Sequence, residues 1–445
     1  MPVNDDDAQQ FLESTSDSVR RKDFVLKFSD TAVRRVNLGV FVFAVIFALV
    51  FIVAPKQPRA NTMFSNHFAV STTHFLATEA AAKVLRNGGN AADAAAVAQF
   101  VLNVVQPQST GIGGGCFILH YNSSSGTVNA IDGREEAPSA LEASAFCADP
   151  QCSHPVSPFF PNRCSGGLAV GVPGTVAAVD RMLKSFGSTS FREAVAPAVA
   201  LARSGVPMSA HLHDKITSSI ARLRWFNASA KLFLNHDRSK PVSDIGELWF
   251  NPDFAATLEL LGSKGANEFY RGQLAADIVS SASSAINPTT GTSGVLSLED
   301  MFQYVAVERK AIKFTYEGHT IYSMPPPSSG GIILGLSLNI LEAVPSFGSA
   351  PRQSASTLAT LINSNNIAWA DRGRYIADAD FFNVPLEGLL DKAYAASRSK
   401  LLPLQQALDT PIAPGNPPGA AAGPSGLGDT LQGTKVCDYF DERDF

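Results

Sequence analysis

Apolar residues dominate from Val36 to Ala54, then recur at helical spacing through most of the chain and alternate at strand spacing in a few short stretches. The apolar run, VNLGVFVFAVIFALVFIVA, carries no charge and one strongly polar residue, Asn37. At about 1.5 Å per residue such a helix nearly crosses a hydrocarbon core of about 30 Å, which predicts a transmembrane signal-anchor helix over 36–54. Arg20, Arg21, Lys22, Lys27, Arg34 and Arg35 precede the run, whereas only Lys56 and Arg59 follow it closely. That bias predicts a cytoplasmic N-terminus and an extracellular or lumenal remainder: a single-pass type II protein of the plasma membrane or of a vacuolar or other endomembrane. Residues 1–35 are charged and aperiodic, as expected of a cytoplasmic tail, and 55–62 read as a stem. The run is too long, and starts too far from Met1, for a cleaved signal peptide.

Past the stem, Thr78 to Asn87 reads as an alanine-rich helix closed by Gly88-Gly89. Asn90 then caps a second helix, Ala91 to Val105, with Asp93 in its first turn. Phe191 to Ser204 is predicted helical, with Ser190 and Glu193 as a capping box and Gly205 as the stop; Pro197 inside it leaves room for a kink or break. Further helices are predicted at Phe254–Leu261, Ala275–Ala285, Ile332–Leu341, Ser354–Ile376 and Leu389–Ala407. Lys313 to Met324 reads as a hairpin turning at Glu317-Gly318. Pro411 to Gly428 is a proline, glycine and alanine linker, predicted not to form a packed element.

Composition changes this picture little. Among 445 residues, 45% are hydrophobic and 17% charged, the balance of a globular core rather than a disordered chain. A formal charge of −5, with no long basic run beyond the N-terminus, gives no reason to expect nucleic acid. Asn122-Ser123-Ser124 and Asn227-Ala228-Ser229 are glycosylation sequons, candidates on the lumenal side. Cys147, Cys152 and Cys164 crowd one proline-rich loop, where one disulfide fits an oxidising lumen and the pairing stays open. Zinc is the rival there, but His154 is the one histidine in the loop and the spacing matches no common ligand pattern. No metal or cofactor is expected.

The densest candidate chemistry lies between Ser109 and Pro138. Gly111, Gly113, Gly114 and Gly115 make an elbow that feeds a strand, Cys116 to Tyr121. A polar turn, Asn122 to Gly126, leads to a second strand, Thr127 to Ile131, so a hairpin is predicted. It ends on Asp132-Gly133-Arg134-Glu135-Glu136. Arg134 offers a rigid fork of donors suited to a carboxylate, although on spacing alone the plainer reading is an ion pair with Glu135 or Glu136. The elbow only partly mimics a dinucleotide fingerprint, since Cys116 stands where its third glycine belongs and a strand follows instead of a helix. His211 and His213, two apart on a helix, do not face together. Thr72-Thr73-His74 and Ser328-Ser329 read as structural.

The words GGNAADAAAVAQFVLNVVQPQSTGIGGGCFILHY and IDGREEAP resemble the γ-glutamyltransferases, also called glutathione hydrolases. Matches continue in the family's order with GGLAVGVPGTVAAV from Gly166, FYRGQLAADIV from Phe269, SMPPPSSGGIILGLSLNILE from Ser323 and AWADRGRYIADADFFNVPLEGLLDKAYAA from Ala368. The resemblance runs from about Ser71 to Asp429. It implies a mixed α/β (α+β) fold, a partial αββα sandwich of the N-terminal-nucleophile hydrolase type, with a large-subunit domain over 63–428. It implies a precursor that cuts itself, freeing a threonine that attacks the γ-glutamyl carbonyl of glutathione. Water then gives hydrolysis; an amino acid or dipeptide acceptor gives transpeptidation. Carried over by motif, Arg134 matches the arginine that binds the glutamate α-carboxylate, and Thr430 of Gly428-Asp429-Thr430 falls where the nucleophile belongs.

After Thr430 the resemblance stops. Leu431-Gln432 stands where a hydroxyl residue and a histidine are expected, and 429–445 is a divergent tail in which the family's small subunit has no counterpart. The chain therefore reads as the large-subunit half, inactive by itself, with a reading-frame change, a retained intron or a truncated gene model behind the abrupt loss, and a true isoform as the alternative. The rivals are a catalytically dead, membrane-tethered partner and a related self-cleaving acylase.

Overall fold

The computed structural model describes residues 67–420, apart from 150–155, 158, 350, 352, 404–405 and 407. The tail 1–35, the expected span 36–54, the stem and residues 421–445 lie outside the described residues. The expected single-pass membrane placement is corrected: among the described residues no helix is long and apolar enough to cross a membrane. Length alone does not suffice, for the 21-residue helix Ala355–Tyr375 carries Asn363, Asn365, Asn366, Asp371, Arg372 and Arg374.

The architecture is mixed α/β, with helices packed around short antiparallel sheets. Helix α1 (Phe75–Arg86) starts at His74, whose Nδ1 accepts the Leu76 N–H at 3.3 Å, so that nitrogen caps a helix and is not a base for Thr73. Helix α2 (Ala91–Val105) starts at the Asn90–Asp93 capping box and is buried on almost every side, as its run of alanine and valine permits. Asp93 is wholly buried and also accepts from Ser188 N, Ser188 Oγ and Thr189 N at 2.6–3.0 Å. One carboxylate thus joins the starts of two helices.

Strands β1 (Cys116–Asn122) and β2 (Thr127–Gly133) form the expected hairpin, pairing Ile118 with Ile131 and Cys116 with Gly133. Helix α3 (Thr175–Phe186) packs on them, burying Val176, Val179, Met182 and Leu183. Helix α4 (Phe191–Ser204) has its Ser190–Glu193 box and continues unbroken through Pro197. Burial of Ala194, Val195, Ala198 and Ala202 against α2 and α5 (Pro252–Lys264) outweighs the lost hydrogen bond.

A strand absent from the sequence reading, β3 (Val307–Lys310), adds to β2 and sets the sheet order β1-β2-β3, with Asp132 opposite Val307. Strands β4 (Ile312–Tyr316) and β5 (His319–Ser323) form the second expected hairpin, and Glu317 and Gly318 take positive φ at its turn. Helices α6 (Gly330–Glu342), α7 (Ala355–Tyr375) and α8 (Lys392–Ser399) enclose a second core cluster around Ile332, Leu336, Ile340, Ile367 and Leu389.

Two expectations change here. The single helix expected at Leu389–Ala407 is broken into Leu386–Leu389 and α8, because Asp391 turns out of the first and caps the second through Tyr394 N at 2.7 Å. The linker expected to stay unpacked is held against the second core over 411–420, with Ile412 and Ala420 in contact with it. In the cysteine-rich loop, Cys147 is disulfide-bonded and Cys164 keeps a free thiol.

Candidate active site around Arg134

The glycine elbow is fixed by the start of α3. The Gly114 carbonyl accepts from Gly174 N at 2.9 Å and from Thr175 N and Oγ1 at 3.0 Å, so it takes up donors that a helix start leaves without partners. Glycine is needed on both sides: a β-carbon at Gly174 would overlap the Gly133 carbonyl and the Tyr304 hydroxyl, and one at Gly115 would overlap Glu135. Glu135 therefore folds back over the elbow.

Arg134 follows β2 and is exposed. Among the described residues its guanidinium enters neither an ion pair nor a hydrogen bond, so the expected pairing with Glu135 or Glu136 is not made and the fork stays open. Its backbone, by contrast, is held on both sides of Cα. The N–H donates to Asp132 Oδ1 at 2.9 Å, and the carbonyl accepts from the Tyr304 hydroxyl at 2.7 Å.

Each clamp has its own support. Asp132 is buried and its second oxygen takes Arg309 Nε at 2.7 Å; Arg309 in turn grips Asp380 with both terminal nitrogens, at 2.9 and 2.7 Å. The Asp380 hydrogen bonds raise the Arg309 guanidinium's pKa despite its partial burial, and the same bonds lower the Asp380 carboxyl. Tyr304 stacks on Tyr270 at 5.6 Å, whose hydroxyl donates to Pro173 O and accepts from Ala177 N. Burial raises both phenols well above their ordinary value, so both remain donors at neutral pH.

Burial also pushes the Cys116 thiol up to about 11, and with Glu135 and Asp132 opposing a thiolate it is no nucleophile. Glu136 is raised by burial and by the charges of Asp378, Asp132 and Asp380. An open recess of about 290 Å³ lies along β3, walled by Glu308, Arg309, Lys310, Pro325, Pro326, Ala379, Val384 and Leu386. Arg134 is not in its wall; Arg309, which holds Asp132, is. Among the described residues no group of His, Cys, Asp or Glu is arranged to hold a metal.

The sequence candidates fare unequally. Thr430 lies outside the described residues. Asn122 sits at the exposed hairpin turn with its Oδ1 accepting Ser124 N, while Asn227 opens a short helix and is held by Arg238. Asp132, Gly174, Tyr304 and Arg309 were missed. Asp132 and Gly174 lie inside the family words IDGREEAP and GGLAVGVPGTVAAV, whereas Tyr304 and Arg309 lie in none of those words and carry no local signal.

Residues 77–436 match the family model described as Gamma-glutamyltranspeptidase. The chain belongs to the gamma-glutamyltranspeptidase family. It is similar to the glutathione hydrolase proenzyme of Bacillus subtilis (strain 168), 34% identical over 77% of this chain and 56% of that protein. It also resembles the Acylase ACY 1 proenzyme of Pseudomonas sp. (strain SE83), 32% identical over 76% of this chain and 59% of that protein. The crystal structure of Helicobacter pylori gamma-glutamyltranspeptidase superposes with a TM-score of 0.73 at 32% identity, covering 79% of this chain and 97% of that chain. The chain thus spans about half the length of the curated gamma-glutamyltranspeptidase relatives it matches.

Proposed function

We propose that this chain is the large-subunit part of a glutathione hydrolase or γ-glutamyltransferase, and that Arg134 binds the α-carboxylate of the γ-glutamyl group. The observation that carries the reading is the open Arg134 fork on a backbone held from both sides. A guanidinium already paired with Glu135 or Glu136 would have little left for a substrate carboxylate. Coverage supports the division into two parts: this chain matches 97% of one solved chain but 56% of a curated proenzyme. The helices packed on antiparallel sheets would then be part of an αββα sandwich, with a small subunit as partner.

In this reading Thr430 is the nucleophile once the chain is cut before it. A free α-amine titrates at about 7.7–8.0, so near neutral pH it takes the threonine's proton without a separate histidine. The alkoxide attacks the γ-glutamyl carbonyl and the amine portion of glutathione leaves with a proton. Water or an amino acid then takes the γ-glutamyl group from the threonine oxygen.

The likeness to an acylase proenzyme favours a second reading, an acylase acting on another amide. Arg134 separates the two, since a donor without an α-carboxylate gives it no partner. The chain by itself is expected to be inactive, so the test is release of p-nitroaniline from γ-glutamyl-p-nitroanilide by the chain extended past Thr430 with a family small subunit, with intact-mass analysis for a cut between Asp429 and Thr430. Turnover and the cut mass are expected if the reading holds; an uncut chain with no turnover removes Thr430 as nucleophile and moves the chain to a non-catalytic role.

A further inference from the structure

The Arg134 guanidinium is free to move on its own side-chain torsions, so what aims it is the backbone from which it grows. Both polar groups of that residue are taken up, by Asp132 Oδ1 on the amide and by the Tyr304 hydroxyl on the carbonyl. Tyr304 comes from just before β3, far away in sequence, and is itself braced. Its ring stacks on Tyr270, and Tyr270 is hydrogen-bonded to the turn that starts α3. Gly174 in that turn is the residue whose lack of a side chain lets the Tyr304 hydroxyl reach past it.

We propose that Tyr304 is a positioning residue that sets the direction of Arg134 toward a bound α-carboxylate, acting through the Arg134 carbonyl and never on the ligand itself. The proposal rests on the reading of Arg134 as the carboxylate-binding residue. The phenol is suited to the task. It is a donor at neutral pH, and it presents one hydrogen on a ring that burial and stacking hold still. A flexible serine or lysine would deliver the same bond without fixing the direction. Asp132 supplies the second clamp, and Arg309, itself gripped by Asp380, holds its carboxylate in place.

The test is calorimetric titration of the full chain with L-glutamate. Arg134→Ala should abolish saturable binding. Tyr304→Phe keeps the ring and its stacking but loses one hydrogen bond, and should raise Kd about three- to tenfold with a melting temperature lowered by only about 1–3 °C. A lysine at 134 is a point charge with no fork to aim. In an Arg134→Lys background Tyr304→Phe should therefore change Kd by less than about twofold, which a general loosening of the fold would not reproduce. Binding unchanged by Tyr304→Phe, or an equal loss in both backgrounds, overturns the positioning role while leaving Arg134 as the binding residue. If no saturable binding occurs, or Arg134→Ala leaves it intact, the reading of Arg134 fails and this inference falls with it. Should Tyr304→Phe not fold, Asp132→Asn replaces it: Arg309 keeps Asp380, the amide clamp weakens, and Kd should rise at least about twofold in the Arg134 chain and not in the Arg134→Lys chain. No rise there overturns the proposal.

Discussion

Gly174 is where sterics and the candidate site meet in one residue. Its φ is −111°, open to any residue, so its need for glycine is a matter of space, not backbone strain. A methyl group there would press on the Gly133 carbonyl and the Tyr304 hydroxyl together. Gly174→Ala should cost about 1–3 kcal/mol, the usual penalty for overfilling a tight site. It should also weaken L-glutamate binding more than the loss of stability alone explains, because the displaced hydroxyl is the one that holds Arg134. Thermal melting beside the same titration measures both; a destabilised variant with unaltered binding would separate Gly174 from the site. Arg134 was legible in the sequence as a candidate for holding a carboxylate. That it stays unpaired was not, because Glu135 turns back over the elbow, a direction that spacing does not encode.

At the scale of elements, the proline- and glycine-rich arm over 411–420 departs furthest from its composition. Asp371, fully buried on α7, accepts from Arg398 at 2.9 Å, Tyr394 at 2.7 Å and the Gly415 amide at 2.7 Å. Arg398 also donates to the Ala413 carbonyl, and the Tyr375 hydroxyl to that of Gly415. Backbone groups that the arm's own sequence cannot pair are thus paired by side chains distant in the chain. Composition predicts loose linkers well only when nothing nearby offers such partners. Asp371→Ala would leave Arg398 buried without its carboxylate, a loss of about 3–5 kcal/mol. The stretch between Thr410 and Ala420 should then become sensitive to limited proteolysis under native conditions. Continued resistance there, with α7 and α8 intact by circular dichroism, would show the arm is held by its apolar contacts instead.

Across the whole molecule, the features legible in sequence were those written locally. The cap at Asn90, the capping box at Ser190, the two hairpin turns and the glycine stops all sit within a few residues of the element they begin or end. What was missed depends on distant partners: β3 has a charged pattern, Val-Glu-Arg-Lys, and is a strand because β2 offers it an edge. The same distance governs how the fold should respond to acid. The Asp93 carboxyl is pushed up by burial, but its bonds from Ser188, Asn90 and Thr189 outweigh this and leave it below the ordinary 3.8. Asp300, similarly bonded by Ser297 and Ser139 against its burial, falls to about 2. A carboxyl lowered on folding contributes stability that is complete above its unfolded value and is lost as pH falls toward its folded value. His74 is lowered by burial, so its contribution is complete above 6.5 and declines below it. Glu136, raised mainly by burial, works in the opposite sense, contributing most below 4.5 and losing it as pH rises through its folded value. Melting temperature should therefore be level between about pH 6.5 and pH 8, decline gently below that range, and fall steeply below about pH 4. Asp93→Asn should lower the plateau, since an amide cannot accept all of those donors, and should flatten the fall between about pH 4 and pH 3. An Asp93→Asn chain that keeps the full acid slope would place the acid-sensitive carboxylate elsewhere in the molecule.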